Sequence, residues 1–136
     1  KVGERAQEAG AKKVVELPVS APFHCALMAP AADKLGAKID EIDFRNPDPP
    51  VVTNVDAAPN ADAARIPALL REQVTAPVRF TEMIECLKGE GVTHFLEVGA
   101  GRVLSGLLAR IDRRSQRESL SSAADLENAR NFVADS

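Results

Sequence analysis

The chain has 136 residues, within the range of a single domain, and its 45% hydrophobic and 27% charged residues are ordinary for a globular protein. A net charge of −3 gives no basic footprint for nucleic acid and no polybasic membrane patch, and no apolar run reaches the roughly 18 residues of a membrane helix. Cys25 and Cys86 are too few for a disulfide scaffold and predict a reducing, cytoplasmic setting.

The first residues, "KVGERAQEAGAKKVVELPV", carry no initiator Met and start part-way along a helical pattern, which predicts a piece of a longer protein. Residues 4 to 9 read as a helix end closed by Gly10. Val14, Val15 and Leu17 read as a short strand that Pro18 ends. After the loop "SAPF", residues 24 to 42 place Leu27, Met28, Ala31, Leu35, Ile39 and Ile42 at near-helical spacing, with charged residues mostly on the other side. "RNPDPP" breaks the chain, "VVT" reads as a short buried strand, and "NVDAAPNAD" is rich in turn residues.

Asp62 is placed to cap a helix through about Gln73, carrying Ile66, Leu69 and Leu70. Pro77 interrupts, and "RFTEMIECLKGEG" gives the next amphipathic helix, ending at Gly89 and Gly91. "THFLEVGAG" reads as a strand and a glycine turn, and "RVLSGLLARIDRR" as a further helix. The remainder, residues 115–136, is polar and serine-rich and predicts a frayed tail with one weak helix from Ala123 to Phe132. Strands alternating with helices predict an α/β architecture with a parallel sheet.

Three motifs bear on chemistry. The strand, Gly99-Ala100-Gly101 and helix resemble the start of a dinucleotide-binding turn, but Leu104 stands where a third glycine belongs. The acidic variant of that pattern found in S-adenosylmethionine-dependent methyltransferases matches Glu97, Gly99 and Gly101 and then meets Val103. No strand–helix unit is expected after it to supply a ribose-binding acid, so a tight backbone turn is the favoured reading. No serine stands in a G-x-S-x-G elbow: Ser20 is flanked by Pro18 and Pro22, and Ser105 by Val103 and Leu107. His24 and Cys25 are adjacent, and on the expected helix adjacent side chains diverge by about 100°, so Cys25 reads as packing rather than as half of a dyad. His24 and His94 lack metal-ligand spacing, and His94 reads as structural or solvent-facing. For His24, at a loop-to-helix junction, the residues alone leave a base and a capping or packing ring both open.

"LPVSAPFHCALMAPAADKL" resembles the malonyl-CoA:acyl carrier protein transacylases of fatty-acid synthesis and, more distantly, the acyltransferase domains of polyketide synthases. The likeness continues through "PVVTNVDA", "LLREQVTAPVRFTEMIECL" and "FLEVGAGRVLSGLLARI", covering about residues 5 to 112, with Ala100 where the family usually has Pro. It implies a ping-pong transfer of malonyl from coenzyme A through an active-site serine to the phosphopantetheine thiol of acyl carrier protein, with no further cofactor. The H-C-A-L-M match places the general base at His24, and the "REQVTAPV" match gives Gln73 as the residue whose backbone carbonyl accepts the histidine's other N–H. At a helix end, such a carbonyl lacks an intrahelical partner. Phe23 matches a position that bears on acyl selectivity, where bulk would exclude an α-methyl worth about 1–3 kcal/mol. Asn54 falls in a loop near the family's active site, and we group it with Phe23 as a substrate-side residue.

The serine elbow, the arginine for the malonyl carboxylate and the oxyanion-hole segment have no counterpart in this sequence. The resemblance therefore implies the C-terminal part of such an enzyme. Residues 1–18 would end a ferredoxin-like small subdomain, and 19–114 would belong to an α/β-hydrolase-like large domain. The partners implied are malonyl-CoA, acyl carrier protein and the N-terminal remainder of the same enzyme, and this chain alone is expected to form no acyl-enzyme. Two other readings stay open: a nucleotide- or S-adenosylmethionine-binding enzyme built on Gly99–Gly101, and a non-catalytic interaction domain.

Overall fold

The structure, a computed structural model, describes residues 1–15 and 19–135. Helix α1 (Val2–Glu8) ends with Gly10 at φ 93°, the left-handed backbone that glycine adopts without penalty. Val14 and Val15 are irregular rather than a strand, having no partner strand among the described residues; Leu17 and Pro18 lie outside those residues.

The helix expected from residue 24 starts later. A 3-10 turn at Ala26–Met28 leads into α2 (Ala29–Ile39), and His24 and Cys25 precede both. Pro30 fits the first turn of α2, where no helical N–H is lost. Strands β1 (Val51–Val52) and β2 (Pro59–Asn60) form a two-residue antiparallel pair. Asp62 does cap a helical start, accepting from the Ala64 amide at 2.8 Å, and the 3-10 turn that follows feeds α3 (Ile66–Thr75). Helices α2 and α3 pack together where Gly36 lets Arg71 approach: a Cβ on Gly36 would stand 3.0 Å from Arg71 Nε. Arg71 donates to the Gly36 carbonyl and to Asp40.

The second half is α4 (Phe80–Gly89), β3 (His94–Val98), α5 (Val103–Ile111), β4 (Gln116–Leu120) and α6 (Leu126–Ala134). Strands β3 and β4 are parallel, in register from His94 opposite Gln116 to Val98 opposite Leu120. The expectation of a frayed tail is overturned here. Residues 116–120, polar apart from Leu120, form a strand, Ser119 is buried, and Ser105 of α5 and Ser119 share a hydroxyl hydrogen bond of 3.2 Å. Ser122 and Asp125 form a capping box before α6, which runs to Ala134. The two sheet faces divide by alternation: Phe95 and Glu97 lie with Phe80, Ile84 and Leu108, while His94 meets Phe132 of α6 at 5.3 Å between ring centres. His94 is thus a half-buried packing residue, also bonded to the Thr93 hydroxyl.

Lys88 of α4 reaches Asp112, just past α5, at 2.8 Å. That bond, with those from the Arg114 amide and Ser115 hydroxyl, holds the Asp112 carboxyl far below its ordinary value of 3.8. Because the folded value is depressed, the stabilisation is present above the ordinary value and is lost as pH falls through the folded one. Urea unfolding between about pH 5 and pH 2 is expected to weaken less steeply in Asp112→Asn than in the parent, and parallel slopes would contradict the assignment.

The accessible surface is 10200 Å². A compact protein of this 14.5 kDa mass exposes about 6,900 Å². Large apolar side chains stand exposed, among them Leu27, Val98 and Val103.

Candidate active site

His24 stands on the loop before the 3-10 turn at φ 57°, in the left-handed region that a non-glycine residue occupies only when its surroundings hold it there. Two bonds hold this one. The Cys25 thiol donates to the Pro22 carbonyl at 3.0 Å, and His24 Nδ1 lies 2.8 Å from the backbone carbonyl of Gln73. Cys25 is therefore turned away from His24 by its extended backbone and its own bond, and not by the helix expected there.

A carbonyl oxygen only accepts, so Nδ1 carries the proton and donates it. The neutral ring then has its lone pair on Nε2, which has no hydrogen-bond partner among the described residues on an exposed side chain. This arrangement has what an oriented base needs: a fixed tautomer, an open acceptor nitrogen, and an orienting group that adds no charge.

Gln73 lies in the last turn of α3, and its side chain is held separately. Asn54 Nδ2 donates to Gln73 Oε1 at 3.1 Å. Asn54 and Gln73 line an apolar cavity of about 210 Å³ with Val52, Thr53, Asn60 and Leu69. Phe23 is not among the lining residues and is 57% exposed. The structure thus joins His24, Gln73 and Asn54 in one run of bonds and leaves Phe23 beside it.

Two residues that sequence reasoning passed over shape the Asn54 loop. Asp56 accepts from Thr53 Oγ1, the Ala58 amide and Arg65. Burial pushes its carboxyl up, but those bonds outweigh it and hold it below the ordinary value. Arg79 clamps the loop from α4: its amide donates to the Asn54 carbonyl, and its guanidinium to the carbonyls of Val55 and Asp56. The signal was the Thr53-x-x-Asp56 spacing, which matches a side-chain-capped turn.

The Gly99–Gly101 turn has the left-handed backbone expected of it, with φ values of 139° and 92°. A strand and helix do follow it, contrary to the sequence expectation, so β3–α5–β4 is a complete βαβ unit. The place of a phosphate at the N-terminus of α5 is nonetheless filled from within. Glu97 Oε1 accepts from the Leu104 amide at 3.0 Å and Oε2 from the Ser105 amide at 2.8 Å. Hydrogen bonds from Ser105, Leu104 and Val103 hold the Glu97 carboxyl below its ordinary value, so it stays an anion at neutral pH.

No family model matches the chain. Individual proteins do. The malonyl CoA-acyl carrier protein transacylase of Bacillus subtilis is 45% identical over 126 residues, which is 93% of this chain and 40% of that protein. An acyl carrier protein S-malonyltransferase from Vibrio cholerae, solved as a crystal structure, superposes with a TM-score of 0.82 at 41% identity, covering 93% of this chain and 42% of its own. A structure of a malonyl-transacylase in complex with its type II polyketide synthase acyl-carrier protein superposes with a TM-score of 0.84 at 43% identity, over 93% and 41% of the two chains. The chain spans about two-fifths of the length of the curated relatives it matches.

Proposed function

We propose that this chain, which belongs to the malonyl CoA-acyl carrier protein transacylase family, supplies the general base of an enzyme moving malonyl from coenzyme A to acyl carrier protein. The observation that carries the reading is the 2.8 Å bond between His24 Nδ1 and the Gln73 carbonyl, which leaves Nε2 as the open base. In this mechanism Nε2 takes the proton of a serine hydroxyl as it attacks the malonyl thioester, and returns a proton to the departing coenzyme A thiolate. It then takes the proton of the phosphopantetheine thiol, whose sulfur displaces the serine and carries malonyl away, and gives that proton to the departing serine oxygen, restoring the hydroxyl and the neutral ring. That serine is supplied from outside residues 1–136, because no serine here stands in a nucleophile elbow.

The remaining assignments follow from the same reading. Residues 1–18 end a ferredoxin-like small subdomain, and 19–114 form part of an α/β-hydrolase-like large domain whose sheet also takes in β4. The large apolar surface fits work inside a larger body. Phe23 borders the acyl group, and Asn54 acts on the substrate side through Gln73. Malonyl-CoA and acyl carrier protein are the partners, and the two free thiols suit the cytoplasm.

The test is transfer itself. The complete protein carrying this chain, given malonyl-CoA and phosphopantetheinylated acyl carrier protein, is expected to load the carrier by one malonyl mass. No loaded carrier under those conditions would reject the reading.

A further inference from the structure

We propose that Pro77 is a positioning residue for His24, acting through the backbone carbonyl of Gln73; this rests on the reading of His24 as a general base. In an α-helix the carbonyl of residue i accepts the N–H of residue i+4. For Gln73 that donor would be residue 77, and proline has no N–H. Proline also disfavours helical backbone at the residue before it, and Ala76 is extended at φ −95°, ψ 151°.

The break is placed to the residue. The Ala76 amide still bonds the Glu72 carbonyl at 3.0 Å, so α3 is intact up to the carbonyl immediately before Gln73. The next carbonyl is the first that Pro77 deprives, and it is the one His24 meets. A helix carbonyl points along the axis toward the following turn, so the ring nitrogen takes the position that a continuing helix would fill. Meanwhile Asn54 fixes the Gln73 side chain. Pro77 thus frees the oxygen that sets the His24 tautomer.

A carbonyl has two lone pairs and could accept from a helical N–H and the imidazole together. The proposal predicts that it does not, because the extended helix would carry backbone across the place of the ring. The experiment uses the complete protein with nitrogen-15-labelled histidine. In the parent, His24 is expected as the Nδ1–H tautomer. In Pro77→Ala the Nδ1–H signal is expected to be lost and kcat to fall about a hundredfold, with KM for malonyl-CoA unchanged, since an orienting error acts on the chemical step. The double variant Pro77→Ala/Val78→Pro moves the helix stop one residue on, still placing an N–H at 77. It is expected to behave alike, and it carries the test if the single substitution unfolds the protein. A folded variant keeping both the parent tautomer and the parent kcat overturns the proposal. Activity surviving in His24→Ala would instead overturn the general-base reading, and the tautomer would then report on Pro77 alone.

Discussion

Replacing His24 by alanine in the complete protein is expected to cut malonyl transfer by about two to four orders of magnitude, the usual contribution of a positioned general base. On the proposed reading the loss should fall on kcat, because Nε2 would take up its proton in the chemical step and no other described residue offers an oriented base there. Gln73→Ala supplies the contrast. It keeps the backbone carbonyl that His24 meets and removes only the side chain bonded to Asn54, so it should leave far more activity than His24→Ala. Steady-state transfer with both variants measures this. Unchanged turnover in His24→Ala would reject the assignment, and equal losses in the two would mean that the Gln73 side chain, not its carbonyl, matters.

The second large effect is on stability. Leu108→Ala is expected to cost about 2–5 kcal/mol, as for other buried leucines truncated in a packed core. Leu108 is 3% exposed on α5 and faces Phe80, Ile84 and Phe95, so its loss opens space among three elements at once. Val103, on the same helix, is 69% exposed in this 136-residue chain, and in the chain by itself its truncation should stay within about 0.5 kcal/mol. Urea unfolding of the two variants compares them directly, and a Leu108→Ala cost below that of Val103→Ala would place the core elsewhere. A loss at the upper end is a large share of the roughly 5–15 kcal/mol that holds a typical protein folded.

What the residues alone revealed depended on whether the signal was local. The helices α3, α4 and α5 announce themselves through apolar spacing and through Asp62, Pro77, Gly89 and Gly91, all within a few positions of the event they mark. Strand β4 does not, because "QRESL" lacks an apolar alternation: its buried member is Ser119, bonded across to Ser105. The start of α2 was misplaced for a related reason. Leu27 and Met28 extend the helical spacing back toward His24, whereas His24 is held in left-handed backbone beside Gln73, 49 residues away. Spacing cannot register a bond of that range, and the pairing of His24 with Gln73 was reached through family resemblance. On the proposal made for Pro77, the geometry leaves one mark in the sequence after all: a proline four residues past the glutamine.

Glu97 has a consequence for ligand selection. Its carboxylate is tethered to β3 and meets the amides of α5 from inside the same βαβ unit, so it competes with any dissolved anion as an intramolecular ligand. Even a short flexible tether gives an effective concentration in the millimolar range, and here the strand and the glycine turn hold the group in place. A nucleotide phosphate would have to displace a ligand that never diffuses away. The fold keeps the outline of a phosphate cradle while its own side chain acts as a permanent inhibitor of that use.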